Sequence, residues 1–137
     1  MKQIQFIIKS GELPKVLDRF PRIKEHAQRN SADAVLKSAA ELVYFTKRFA
    51  SGRPGPNVIT GQYRDSIRIF LFTRLPETSI AVVGSDAPQG PRLELGFFGI
   101  DALGRVYEQP PYPHWRKAAA IVYPRFVARM RLFRRLL

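Results

Sequence analysis

Apolar and polar side chains alternate over residues 2–10. Ile4, Phe6 and Ile8 share one face, Gln3, Gln5 and Ile7 fall between them, and Gly11 closes the run. That two-residue period predicts a strand. Residues 13–20 can form a short helix with Pro14 in its first turn, and Pro21 breaks or restarts it. From Arg22 to Ala50 the period lengthens. Val35, Ala39, Leu42, Val43 and Phe49 recur at steps of three and four with Lys37, Glu41 and Lys47 between them, which predicts a helix. Asn30 or Ser31 can cap a second helix, so one long helix and a broken pair both satisfy the pattern. Gly52-Arg53-Pro54-Gly55-Pro56-Asn57 ends it.

The period of two returns over residues 63–72. Tyr63, Ile67, Ile69 and Leu71 are predicted on one face, and Arg64, Ser66, Arg68, Phe70 and Phe72 on the other. The second face is mixed, which predicts a neighbour against it. Leu75-Pro76-Glu77 turns the chain into a Val/Ile strand over 79–84, an antiparallel hairpin. Residues 87–96 have room for one helical turn around Leu93 and Leu95. Residues 97–109 read as an extended loop or a small hairpin, and Pro110-Pro111-Tyr112-Pro113 as a stiff connector. A final helix is predicted over 114–137, about 35 Å long if unbroken, with Pro124 expected to kink or interrupt it. The sum is an α+β fold in a single domain, 1–137: an antiparallel sheet of about four strands, a long N-terminal helix or helix pair, and a C-terminal helix packed on the sheet.

Charge changes the picture more than size does. The chain has 137 residues with 23 Lys plus Arg against 11 Asp plus Glu, a formal net charge of +12. An excess of that size bears on association, and it suggests nucleic acid, an acidic protein neighbour or an anionic surface. There is no cysteine, which removes thiol catalysis, Cys-based zinc sites and a disulfide scaffold. No apolar run approaches a membrane span. The apolar stretch near the start is too short for a signal peptide, so a soluble, non-secreted protein is expected.

No arrangement of residues suggests catalysis. HExxH, GxSxG and a glycine-rich phosphate loop are missing. His26 and His114 fall in different elements without an obvious carboxylate partner. The acids are scattered without metal-ligand spacing. Glu94 reads as a solitary carboxylate that pairs with Arg64 or Arg92 or stands exposed. The expectation is a protein that is not an enzyme and takes no metal or cofactor.

The basic C-terminus carries the strongest signal. From His114 onward there are Arg116, Lys117, Arg125, Arg129, Arg131, Arg134 and Arg135 and no acid. Trp115, Ala119, Val122, Phe126, Met130, Phe133 and Leu137 step by three or four through the same segment, an amphipathic helix with a cationic remainder. A helix on the sheet with a solvated arginine face accounts for this, and so does a surface for DNA or for an acidic partner. Arg125, Arg129, Arg131, Arg134 and Arg135 are the candidates for such contacts. The aromatics Phe97, Phe98, Tyr107, Tyr112 and Trp115 flank glycine and proline, and they read as anchors of a protein–protein interface.

Three blocks, in order, resemble the small neck or tail-completion proteins of long-tailed bacteriophages, the minor tail or head–tail joining components. The first runs Gly55-Pro56-Asn57-Val58-Ile59-Thr60-Gly61-Gln62-Tyr63-Arg64-Asp65-Ser66-Ile67, where the family has a proline, then Thr-Gly, a basic position and Ser-Ile. The second is Val82-Val83-Gly84-Ser85-Asp86-Ala87-Pro88, followed by Leu93-Glu94-Leu95-Gly96, where the family has a valine strand, Gly-Ser/Thr-Asp, an alanine-rich turn and Glu-aromatic-Gly. The third is Pro110-Pro111-Tyr112-Pro113-His114-Trp115-Arg116-Lys117-Ala118, where the family has Pro-aromatic-Leu-Arg-Pro-Ala. The resemblance covers about residues 31–123. Gln89 stands where the family commonly has Tyr, Leu95 replaces the aromatic, and Trp115-Arg116-Lys117 replaces Leu-Arg-Pro.

The resemblance implies a structural virion protein that completes the head-proximal end of the tail and joins it to the head connector. It implies a homo-oligomeric ring, expected to hold six copies, against tail terminator or tail tube proteins and head connector or stopper proteins. Non-specific contact with genomic DNA in the channel is compatible with it, and a membrane is not involved. The location implied is the virion neck, reached from the host cytoplasm during assembly. The alternative is a small basic nucleic-acid-binding module.

Overall fold

A computed structural model describes residues 3–100 and 102–135, with side chains as far as Arg131. The start of the first predicted strand at Lys2 and the end of the last helix at Leu137 lie outside these residues. The fold is α+β. Strand β1 (Ile4–Lys9) is followed by a 3-10 turn (Lys15–Arg19) and helix α1 (Pro21–Phe49). Then come a short helix α2 (Gln62–Ser66), strands β2 (Arg68–Arg74) and β3 (Ser79–Ser85), and a short helix α3 (Gly90–Leu95). Strands β4 (Phe97–Ile100) and β5 (Val106–Gln109) and helix α4 (Trp115–Arg135) complete the chain. The five strands form two antiparallel sheets, a three-stranded one in the order β1-β3-β2 and a separate β4-β5 hairpin.

Helix α1 is continuous through Asn30 and Ser31. Ser31 does not cap a second helix, because its hydroxyl donates to the Gln28 carbonyl at 3.1 Å within α1 itself. Its buried stripe is built largely of small residues, including Ala27, Ser31, Ala34, Ser38 and Ala39. Small side chains there leave room for α4, which packs along α1. The core gathers Val35 and Leu42 of α1, Ala81 and Val83 of β3, Ile67, and Trp115, Ala118 and Val122 of α4. Helix α4 runs through Pro124 without an interruption. A proline removes one N–H from the ladder, and the packing against α1 on both sides of it holds the rest.

Two local features change the expected strand over 63–72. Its first part is the helix α2, not a strand. Gly61, in the left-handed region at φ 82°, precedes it, Asp65 N–H bonds the Gly61 carbonyl, and the Ser66 hydroxyl donates to the Tyr63 carbonyl at 2.5 Å. Side-chain bonds of this kind favour a turn over a ladder. The second feature is an irregularity between Ile69 and Leu71, where Ile69 opposes Val83 and Leu71 already opposes Val82. A bulge at Phe70 therefore inverts the alternation. Ile69 and Phe72 join the core, and Leu71 is turned out at 51% exposure. The predicted pairing of Leu71 with Ile69 on one face, and of Phe72 with Phe70 on the other, is corrected by that one extra residue.

The sheet is thus covered on one face only. Ile4, Phe6 and Ile8 of β1 face the helices, while Gln5, Ile7 and Lys9 are exposed. Across the strands Ile7 opposes Val82 and Val82 opposes Leu71, an apolar row on the open face. Beside it the Phe70 ring lies on Gly84, where a Cβ would sit 2.9 Å from the ring and 2.4 Å from the Ile4 carbonyl oxygen.

Candidate functional site: a hairpin arm and its anchor

The β4-β5 hairpin projects from the end of α3 and returns into α4, so its position depends on how those helices meet. Glu94, near the C-terminus of α3, is buried at 4% exposure. Its carboxylate accepts the backbone N–H groups of His114 at 2.8 Å, Trp115 at 3.0 Å and Arg116 at 3.1 Å. The Arg116 side chain adds a contact at 3.3 Å. A helix N-terminus leaves N–H groups without intrahelical partners and concentrates positive potential there. The residues preceding α4, Pro110-Pro111-Tyr112-Pro113-His114, include no Ser, Thr, Asp or Asn, so the cap comes from a distant part of the chain. Burial pushes the Glu94 carboxyl pKa up, but the three N–H groups together outweigh it and hold the pKa below its usual value. The expectation that Glu94 pairs with Arg64 or Arg92, or stands exposed, is corrected: its partners are the start of α4 and Arg116.

His114 is completely buried. Its Nδ1–H faces the Tyr112 carbonyl at 2.8 Å and the Glu94 carboxylate at 3.1 Å. Nε2 accepts the Tyr63 hydroxyl at 2.5 Å, and the Trp115 indole N–H donates to the Tyr63 oxygen at 3.1 Å. Burial lowers the imidazole pKa against the opposing pull of the Tyr112 carbonyl and Glu94, which favours the neutral ring. Burial likewise pushes the Tyr63 hydroxyl up to about 12. Every polar atom of the chain Trp115–Tyr63–His114 is used internally, so the imidazole presents no free nitrogen to a substrate. Chemically the cluster is a clamp that joins α2, α3 and the start of α4. His114, without a carboxylate partner in the sequence reading, has one in Glu94.

From this clamp the arm extends outward. Gly96 leads into it at φ 81°, a conformation that suits glycine. A Cβ at Gly96 would also sit 2.9 Å from the Gln109 carbonyl oxygen. Strands β4 and β5 pair as a hairpin, with Phe97 opposite Gln109, Phe98 opposite Glu108, Gly99 opposite Tyr107 and Ile100 opposite Val106. One face holds Phe97, whose ring packs against Gly99 and lies 4.1 Å beneath the Arg92 guanidinium. The other face holds Phe98, Ile100 and Val106, exposed at 74%, 69% and 65%. The two strands pair only with each other.

The predicted interface aromatics therefore separate. Phe98 and Tyr107 are exposed on the arm. Phe97 is half-buried under Arg92, and Tyr112 is half-buried with the Arg53 guanidinium 3.8 Å from its ring centre. Trp115 is corrected: it is fully buried in the core, its ring stacked on Phe6 with centroids 5.2 Å apart. The predicted cationic stripe also divides. Arg129 turns inward to Glu41 and donates to the Ser38 hydroxyl at 2.9 Å. Arg125 lies 3.8 Å from the other Glu41 oxygen and over the Phe45 ring. Arg131 is exposed, and the side chains of Arg134 and Arg135 lie outside those described. Sequence reasoning missed the Tyr63–His114–Glu94 clamp. The available signal was a helix start without a local capping residue.

Among the described residues there is no group of three or more His, Asp or Glu able to hold a metal ion. None of the described helices is long and apolar enough to cross a membrane. Comparison of the chain with family models, curated proteins and solved structures finds no match.

Proposed function

We propose that the chain is a structural protein of a bacteriophage neck, completing the head-proximal end of the tail and joining it to the head connector as part of an oligomeric ring. The observation that carries this reading is the arm. A two-stranded hairpin is marginally stable alone in water, and this one exposes Phe98, Ile100 and Val106 on a single face. Exposed apolar surface of this kind marks an interaction site. The arm lies between the second and third blocks that resemble the neck family, and its anchor, Glu94, belongs to the second. The partners in this reading are further copies of the chain, tail terminator or tail tube proteins, and connector or stopper proteins. The chain acts by surface complementarity in the virion, after assembly in the host cytoplasm.

The test is depletion of the chain during growth of the phage that encodes it. DNA-filled heads and finished tails that stay apart are expected, with joining restored when the purified chain is added to the lysate. Infectious particles formed without the chain overturn the reading. A second reading, a small basic nucleic-acid-binding module, draws on the net charge of +12. Tight binding of random DNA by the isolated chain at physiological salt would favour it.

A further inference from the structure

The chain exposes two apolar surfaces at once, and they match. One is the arm face, where Ile100 opposes Val106 and Glu108 lies two residues along β5 from Val106. The other is the open face of the three-stranded sheet, where Ile7, Val82 and Leu71 form a row and Lys9 lies two residues along β1 from Ile7. Two residues along a strand span about 7 Å in both cases, so acid and cation stand at the same distance from their apolar rows. Within its strands the open face carries the cations Lys9 and Arg68, and Arg68 already faces Asp86 at 3.3 Å. Lys9 and Glu108 have no ion-pair partner among the described residues. Ile7 and Val106 are 69% and 65% exposed, so the two faces do not cover one another within one chain.

We propose that the arm of one copy lies on the open sheet face of a second copy, with β5 over β1, Val106 against Ile7, Ile100 against Val82, and Glu108 facing Lys9. This deepens the reading above by naming the arm's partner and its seat. The two surfaces are different patches of the same chain, so the contact is heterologous. Each copy gives an arm and receives one, and such contacts continue until a rotation closes them into a ring.

The chain has no cysteine, so engineered pairs report the contact directly. Val106→Cys protein is mixed with Ile7→Cys protein and exposed to oxidised glutathione. The control partner is Tyr44→Cys, on the exposed side of α1. The mixed disulfide between positions 106 and 7 is expected to form at least tenfold more than that between 106 and 44. Lys9→Glu should reduce its yield, and adding Glu108→Lys to the arm-bearing protein should restore it. Equal cross-linking to positions 7 and 44, or a chain that sediments as a monomer at high concentration with no mixed disulfide, overturns the proposal. If purified protein fails to cross-link while depletion still blocks head–tail joining, the arm's seat lies on another protein and the neck reading stands. If the cross-link forms but virions assemble without the chain, the contact between copies stands and the neck reading falls.

Discussion

Glu94 accepts the backbone N–H of Trp115 at 3.0 Å across twenty-one residues of chain, closing the base of the hairpin arm. The same carboxylate also takes the N–H groups of His114 and Arg116. Glu94→Ala would leave buried donors at the α4 terminus without an acceptor. A single hydrogen bond to a charged group contributes about 1.5–3 kcal/mol, and a lost N-cap alone costs about 1 kcal/mol. We expect Glu94→Ala to destabilise the chain by about 3 kcal/mol in urea unfolding. Glu94→Gln, which keeps one oxygen acceptor, should lose less.

The clamp also sets how stability responds to acid. The unfolded chain takes up a proton at His114 near its ordinary pKa of 6.5, and the folded chain resists because burial lowers that pKa. The contribution of His114 is therefore complete above pH 6.5 and is lost as pH falls through the folded value. Glu94 behaves alike lower down: with its pKa held below 4.5, its contribution is present above that pH and disappears on further acidification. Urea unfolding across this range should show stability falling in two stages on the acid side, and His114→Gln should flatten the first.

At high pH the sign reverses in cause. Tyr63 ionises at about 12 in the folded chain and near 10 when unfolded. Its contribution holds below pH 10 and is lost as pH rises through 12. Absorbance titration of the tyrosines should resolve one group that ionises late, and Tyr63→Phe should remove it. That variant also leaves the Trp115 indole N–H and His114 Nε2 without their partner, at a cost of about 1–3 kcal/mol.

Periodicity made β1, α1, β3 and the hairpin between β2 and β3 legible, because each buries one face and its alternation is local. The clamp was not legible. Its members, Tyr63, Glu94 and His114, are far apart in sequence and are joined by hydrogen bonds that follow no period. Trp115 reads as an interface anchor because prolines precede it, yet the helix it begins turns its ring onto Phe6. The inversion at Phe70 rests on one extra residue, and the bulge can form there because Gly84 leaves space for the ring. The arginines of α4 read as one cationic face because their counter-ion, Glu41, belongs to the other long helix.

That last pairing predicts weak DNA binding. Five arginines on phosphates would give log K against log salt a slope of about −4 to −5. With Arg125 and Arg129 turned to Glu41, a slope no steeper than about −3 is expected. Fluorescence anisotropy on random duplex DNA measures it, and Glu41→Gln, which releases both guanidinium groups, should steepen it.

Core and arm should respond oppositely to truncation of their aromatics. Trp115 has no exposed surface and packs on Phe6, so Trp115→Ala opens a cavity and loses the indole hydrogen bond. Truncation of a buried Phe or Trp costs about 3–5 kcal/mol, enough to remove much of a small domain's stability. Phe98, 74% exposed on the arm, contributes little to the isolated fold, and Phe98→Ser should change the unfolding free energy by less than about 0.5 kcal/mol. On the proposed neck reading its effect belongs to assembly: added to a depleted lysate, Phe98→Ser protein should fail to join heads to tails while unfolding like the parent. A Phe98→Ser chain that loses its cooperative transition would make the hairpin part of the core and remove the arm as an interaction surface.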